Sequence, residues 1–244
     1  MKLADKIAVV TGGGKGIGKA IALAFAREGA SICITGRTLQ DLEQTIQEIH
    51  NSGGRAILDQ GDISKESDVS HFVKITEERF GTINILVNNA AINLPDIPIT
   101  ELTLDQWNYI MAVNLTGPFL CCQKVLPIMY RNKTGSVINI SSIGGRQGAK
   151  LRGAYRASKA GLLNLNETMA AESYRYGVRV NAICPGSVET NMMEQITIAE
   201  PGYKHNWMSP EQIASVAVFL ASEESSSITG TAIDAFGQSN PLFH

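Results

Sequence analysis

The chain has 244 residues, of which 44% are hydrophobic and 18% charged, for a formal net charge of −2. That length and balance fit one large α/β domain and leave no surplus of cations for a nucleic-acid or acidic-membrane surface. The four cysteines (Cys33, Cys121, Cys122, Cys184) match no zinc spacing, no apolar run reaches the ~18 residues of a membrane span, and no signal-peptide layout precedes the first strand; the expectation is a cytoplasmic protein without structural metal, disulfide or membrane anchor.

Residues 6–11 are a short apolar run, the pattern of a strand covered on both faces. A glycine-rich turn over 12–18 follows, then Ile21, Ala22, Phe25 and Ala26 set a helical stripe over 19–28. Strand, glycine turn and helix aim backbone N–H groups and a helix N-terminus at a phosphate. The glycines at 12, 16 and 18 do not have the G-x-G-x-x-G spacing, so the turn's place after the first buried strand carries the inference. The alternation continues, with strands expected over 30–35, 55–60, 83–87, 136–140, 178–183 and 231–235. Helices are expected over 39–51, 68–80, 153–176 and 210–222, the last opened by Ser209 and Pro210. Residues 103–131 read as one long helical region in which Pro118 starts a second helix or a bend. Such βα units imply an α/β, single-domain doubly wound parallel sheet over 1–244, Rossmann-like, with helices on both faces.

In such a sheet ligands bind beyond the carboxyl ends of the strands. Those ends carry 12–18, Gly36-Arg37, Asp62-Ile63, 88–91, Ser141-Ser142 and Pro185-Gly186, so small and polar residues gather at one rim. Beyond the fifth strand, Tyr155 and Lys159 share one face of a helix at i,i+4. A phenol useful at neutral pH needs a shift of about three units, or ~4 kcal/mol. One cation nearby at an effective dielectric of ~20 supplies about that much. An acid or base acting on a substrate oxygen is therefore physically reasonable at Tyr155.

Thr11-Gly12-Gly13-Gly14-Lys15-Gly16-Ile17-Gly18, Asp62-Ile63, Asn88-Asn89-Ala90, Asn114, Ile140-Ser141-Ser142, Tyr155-x-x-x-Lys159 and Pro185-Gly186 with Thr190 together resemble the short-chain dehydrogenase/reductase family. The resemblance implies roles. Tyr155 would protonate a carbonyl or deprotonate an alcohol, and Lys159 would lower the tyrosine pKa and bond the nicotinamide ribose. Ser142, preferred to Ser141 by the family's spacing, would hold the substrate oxygen. Asn114 would anchor a water linking Lys159 to solvent. Gly12, Gly14, Lys15, Gly16, Ile17, Gly18, Arg37, Asp62, Ile63, Asn89, Ala90, Pro185, Gly186, Val188 and Thr190 would bind the cofactor, with Tyr155 and Lys159.

The second strand ends Thr35-Gly36-Arg37, with no carboxylate to accept from the adenosine ribose until Asp41. Arg37 could pair with a 2′-phosphate and Lys15 is a second cation, so NADP (NADPH) is expected over NAD. The expected function is an NADP-dependent oxidoreductase acting on a small-molecule carbonyl or secondary alcohol, such as a 3-oxoacyl thioester or small ketone. The alternatives are a sugar or polyol dehydrogenase and, in another class, a non-catalytic NADPH-binding regulatory protein. An isomerase or dehydratase would need a further acid/base residue that the sequence does not supply. The substrate would lie under a lid at about 188–209, among Leu94, Gln147, Arg152, Met192, Met193, His205 and Trp207.

Three residues depart from the family pattern: Ala91 for a usual glycine, Phe236 in the last strand, and Tyr176 at a usual basic position. The last of these weakens the expectation of an acyl-carrier substrate. A homotetramer or homodimer is expected through helices 103–131 and 153–176, with Leu120, Cys121, Val125, Leu162, Leu165 and Met169 as the apolar surface.

Overall fold

A computed structural model describes residues 1–190 and 207–237. Its strands are β1 (Ile7–Thr11), β2 (Ser31–Gly36), β3 (Arg55–Gln60), β4 (Ile85–Asn88), β5 (Gly135–Ile140), β6 (Val178–Pro185) and β7 (Ala232–Ala235). They form a parallel sheet in the order β3-β2-β1-β4-β5-β6-β7. Strand side chains alternate between two cores, as the two-residue period requires. Ala8, Val10, Ile32, Ile34, Ile85 and Val87 face helices α1 (Gly16–Arg27), α2 (Leu39–Asn51) and the later Pro210–Ala221, packing on Ile21, Phe25, Leu42, Ile49 and Leu220. Val9, Cys33, Leu86, Val137 and Val180 face α3 (Glu66–Phe80), α5 (Gly117–Asn132) and α6 (Gly153–Ser173), packing on Val69, Phe72, Val125, Met129 and Met169. Helix α4 (Leu104–Met111) precedes α5, and the Pro210–Ala221 helix is α7 here. Strand order reverses between β1 and β4, so the crevice opens above that pair.

Several expected boundaries move. Helix α1 begins at Gly16, which places Gly16 and Gly18 in its first turn, and α3 begins at Glu66. β4 starts at Ile85 and continues to Asn88. The helical region expected over 103–131 is α4 and α5 joined by a π-helical turn, Ala112–Thr116. The second helix expected to start at Pro118 is α5, which begins at Gly117 and holds Pro118 in its first turn, a position that favours proline. Thr103 opens α4 with a capping box to Gln106.

Polar groups bind α6 to the sheet. Asn88 Nδ2 donates to Asn139 Oδ1 and Asn139 Nδ2 to Asn166 Oδ1, both at 2.9 Å, joining β4, β5 and α6 inside the protein. Breaking either bond would orphan a buried amide at a cost of about 1–3 kcal/mol, although Asn88 Oδ1 itself has no partner. The chain of amides therefore fixes the helix that carries Tyr155 and Lys159. All four cysteines are free and buried. Phe236 packs by Leu163, Ala182 and Cys184, within the chain's own core. No helix among the described residues is long and apolar enough to cross a membrane.

Candidate active site

A cleft of about 370 Å³ runs along the carboxyl rim of the sheet. Of the residues singled out in the sequence, Gly12, Gly14, Lys15, Gly16, Ile17, Arg37, Asp62, Ile63, Asn89, Ala90, Ser142, Tyr155, Lys159, Pro185, Gly186, Val188 and Thr190 all line it. Gly18 and Asn114 stand behind the wall.

The glycine turn forms one section of the floor. Gly12 and Gly16 have φ of +65° and +54°, where a side chain is strained. Gly12 and Gly13 donate to the Thr35 carbonyl at 2.7 and 3.2 Å, and Asn89 Nδ2 donates to the Thr11 and Gly12 carbonyls at 2.9 and 3.2 Å. A Cβ on Gly18 would fall 2.2 Å from the Gly12 oxygen, so this glycine is required for helix-to-loop packing and not for ligand contact. No side chain caps the start of α1, which leaves its first-turn N–H groups for an anion in the cleft. This cradle fits the diphosphate of a nicotinamide dinucleotide.

At the outer end, Arg37 Nη1 donates to the Tyr109 hydroxyl at 2.5 Å, and Lys15 Nζ lies 3.3 Å from Asp41 Oδ2. Both expected phosphate cations thus have protein partners, one neutral and one anionic. Asp62 is held by its own loop: its N–H donates to Asp68 Oδ2 at 3.0 Å and its Oδ1 accepts from Ser64. That acceptance draws Asp68 below the ordinary carboxylate range.

At the inner end, Tyr155 and Lys159 project from α6 into the same space as Ser142. Burial pushes the Tyr155 phenol above its ordinary value, opposed by a hydrogen bond from Ser142 and then by the charges of Arg152 and Arg156. Lys159 was expected to supply that opposition. Its ammonium instead donates to the Ile140 carbonyl at 2.7 Å and lies 5.9 Å from the centre of the Tyr155 ring. Burial brings Lys159 down to about 8. Ser141 Oγ donates to the Lys159 carbonyl at 3.0 Å, a structural bond that leaves Ser142 as the serine facing Tyr155.

Asn114 sits in the π turn, a feature that recurs at functional sites because it shifts helical hydrogen-bond register. Its Oδ1 accepts from Ile92 N–H at 2.8 Å, and its Nδ2 donates to the Ile92 carbonyl and Ser158 Oγ at 2.9 and 3.2 Å. The side chain expected to hold a water therefore ties the β4 loop to α6. Of the expected substrate contacts, Arg152 lines the cleft, while Met192, Met193 and His205 lie outside the described residues. Leu94, Gln147 and Trp207 are not among the lining residues. The described ends of the expected lid meet: Glu189 N–H donates to the Met208 carbonyl at 2.9 Å and Met208 N–H to that of Ser187 at 3.0 Å. Asp41, Asn93, Ile143, Arg156 and Ser187 also line the cleft. Of these, Arg156 was visible as a cation next to Tyr155.

The helix residues expected to form a subunit contact are largely interior. Cys121, Val125, Leu162 and Met169 are at most 5% exposed within the chain, because their faces of α5 and α6 turn to the sheet. Leu120 and Leu165 are half-buried, and Phe119 is 44% exposed.

Comparison with known proteins gives a consistent picture. The short chain dehydrogenase family model matches residues 6–201. The chain is 38% identical to the uncharacterized oxidoreductase YxbG of Bacillus subtilis (strain 168), over 97% of this chain and 91% of that protein. It is 35% identical to a 3-oxoacyl-[acyl-carrier-protein] reductase of Synechocystis sp., over 96% of this chain and 97% of the relative. The crystal structure of levodione reductase superposes with a TM-score of 0.91 at 32% identity, covering 95% of this chain and 96% of that one.

Proposed function

The chain belongs to the short-chain dehydrogenase/reductase family of oxidoreductases, and from that premise we propose that it is an NADP(H)-dependent carbonyl reductase built as one domain. The observation that carries this reading is the meeting of Ser142, Tyr155 and Lys159 in the cleft that also holds the glycine turn and Arg37.

The nicotinamide, when bound, supplies the hydride for reduction and accepts it in the reverse direction. The chain's own residues handle the oxygen. Ser142 Oγ orients the carbonyl oxygen, and Tyr155 gives that oxygen its proton as negative charge develops. Burial keeps the phenol protonated at neutral pH, which suits an acid in the reducing direction. Lys159 would hold the ribose side of the dinucleotide, while the Ser142 hydrogen bond and the charges of Arg152 and Arg156 limit the cost of the tyrosinate left behind. Arg37 takes the 2′-phosphate by exchanging a neutral phenol for a dianion, a favourable trade for a guanidinium.

The 3-oxoacyl carrier-protein reductase and levodione reductase relatives support a small ketone or 3-oxoacyl thioester as substrate. Assembly as a homodimer or homotetramer through α5 and α6 would use Phe119, Leu120 and Leu165 rather than the four interior residues. The reading is tested by an NADPH-consumption screen over ketoacyl thioesters, diketones, oxo acids, aldoses and ketoses. Tight NADPH binding with no turnover across that panel would favour a non-catalytic cofactor-binding role.

A further inference from the structure

The inner end of the cleft carries a positive charge beyond the one on Lys159. Arg156 follows Tyr155 on α6, and its stem lies on the substrate wall. A Cβ placed on Gly144 would meet Arg156 Cγ at 3.2 Å, Ser142 Oγ at 3.4 Å and Tyr155 Cε1 at 3.5 Å. The Arg156 stem, the serine hydroxyl and the phenol ring therefore border one space, and Arg156 is among the residues that line the cleft. Nη1 of Arg156 donates to the Gln147 carbonyl at 2.6 Å, and its Nε is buried with no hydrogen-bond partner. No ion pair among the described residues includes Arg156, whereas its neighbour Arg152 is paired with Asp96 at 2.8 Å.

An arginine serving only to hold the Gln147 carbonyl would leave its charge uncompensated and one donor desolvated, which is costly. Burial and the like charge of Arg152 hold Arg156 below its ordinary value, the mark of a cation short of a counter-charge. The acidic side chains among the described lining residues are Asp41 and Asp62, and both stand at the outer end. The cofactor's diphosphate is matched there by the glycine turn and α1. Among the described residues no acidic side chain lines the inner end, and an anionic substrate would supply that charge.

We propose that Arg156, with Arg152 beside it, receives a carboxylate of the substrate, so that the preferred substrate is a small oxo acid and the product a hydroxy acid. A planar guanidinium matches a carboxylate, and the place of the Arg156 stem beside Ser142 and Tyr155 puts such a carboxylate within a few bonds of the reacting carbonyl. This inference rests on the reductase reading above and narrows it, because a neutral ketone or a thioester leaves Arg156 unpaired.

The test compares 3-oxobutanoate and 4-oxopentanoate with their methyl esters, using NADPH and the whole chain. The acids should exceed their esters in kcat/KM by about tenfold or more. Arg156→Gln should shrink that ratio by about tenfold, acting on KM more than on kcat, and Arg156→Lys should restore part of it. Parity of acids and esters in the wild type, or an unchanged ratio in R156Q, would overturn the proposal. Binding of isobutyrate and isobutyramide, followed by saturation-transfer NMR, gives a readout independent of turnover. Isobutyrate alone should bind, and about tenfold more weakly in R156Q; equal binding of the amide overturns the carboxylate site. If isobutyrate binds in an Arg156-dependent way while no carbonyl is reduced, the site stands and the reductase reading fails. If esters and acids are reduced alike and the amide binds as well, the reductase reading stands and the site fails.

Discussion

The two ends of the cleft use cations in opposite ways. At the outer end Lys15 is 62% exposed and paired with Asp41, and Arg37 rests on the Tyr109 phenol. At the inner end Lys159 is 2% exposed and bonded to a carbonyl, and among the described residues Arg156 is bonded to the carbonyl of Gln147 alone. Water screens the outer pair, so those contacts are cheap to make and cheap to exchange for a ligand. Burial penalises the inner pair, and the penalty is relieved only when negative charge arrives or develops. The outer end thus selects a cofactor by modest, reversible contacts, while the inner end stores an electrostatic cost that the reaction can use.

The largest effect should come from breaking the inner end at the proton itself. Tyr155→Phe removes the group that neutralises the developing alkoxide and should lower kcat by about 1000-fold while NADPH still binds. Steady-state assays with fluorescence titration of NADPH measure both. Turnover retained within about tenfold would move the acid to another residue.

Next in size is the cost of the buried ammonium. Lys159 sits at about 8 in the folded chain against 10.5 for an ordinary lysine. Between those values the unfolded chain binds more protons, so the Lys159 contribution makes the cofactor-free protein more stable as pH rises through that window. Below about 8 the whole penalty is present, which is on the order of 3 kcal/mol. Lys159→Met has no such penalty, so its stability advantage over the wild type should be greatest near neutrality and should shrink by that order as pH passes 10.5. Urea unfolding at several pH values measures the gap. A gap independent of pH would mean that the ammonium is hydrated.

At the outer end the effects should be smaller and confined to one cofactor. Arg37→Ala should lower kcat/KM for NADPH by about 30-fold and change that for NADH by less than about threefold. Equal use of both cofactors by the wild type would remove the 2′-phosphate from the account.

The same division explains what the sequence disclosed. The alternation of apolar runs and helical stripes located every described strand of the sheet within a few residues: the central strands are buried on both faces and leave a continuous apolar signature, while the partly exposed edge strands β3 and β7 followed from their place in the alternation. The place of the glycine turn and of Tyr155 and Lys159 in the cleft was legible from backbone approach and i,i+4 geometry, and that of Asp62-Ile63 and Ser142 from the family resemblance. The π turn at Ala112–Thr116 was not, since Ala-Val-Asn-Leu-Thr has no residue that dictates a wider turn. Nor were the partners of the cations. That Lys15 meets Asp41, that Arg37 meets Tyr109 across 72 positions of chain, and that Arg156 meets no carboxylate among the described residues are facts of tertiary contact. Cys121, Val125, Leu162 and Met169, expected at a subunit surface, are interior for a related reason: helical periodicity tells which residues share a face but not what that face meets.

The smallest effect should appear where the outer end holds a charge that opposes its purpose. Asp41 neutralises Lys15 in the part of the cleft where a 2′-phosphate would lie, so the dianion must compete with a carboxylate already in place. Asp41→Asn removes that competitor, keeps the side-chain volume, and leaves the Asp41 backbone carbonyl to accept from Thr45 Oγ1, a bond of 3.0 Å. An exposed ion pair of this kind is worth about 0–1 kcal/mol, so the preference for NADPH over NADH should rise by only about threefold. Because the contact is screened, the gain should be clearest at low ionic strength and should fade as salt approaches ~1 M, where the Debye length is about 3 Å. A fall in NADPH preference would instead mean that Asp41 orders Lys15 for the phosphate, and that the outer end, like the inner one, depends on a preset charge arrangement.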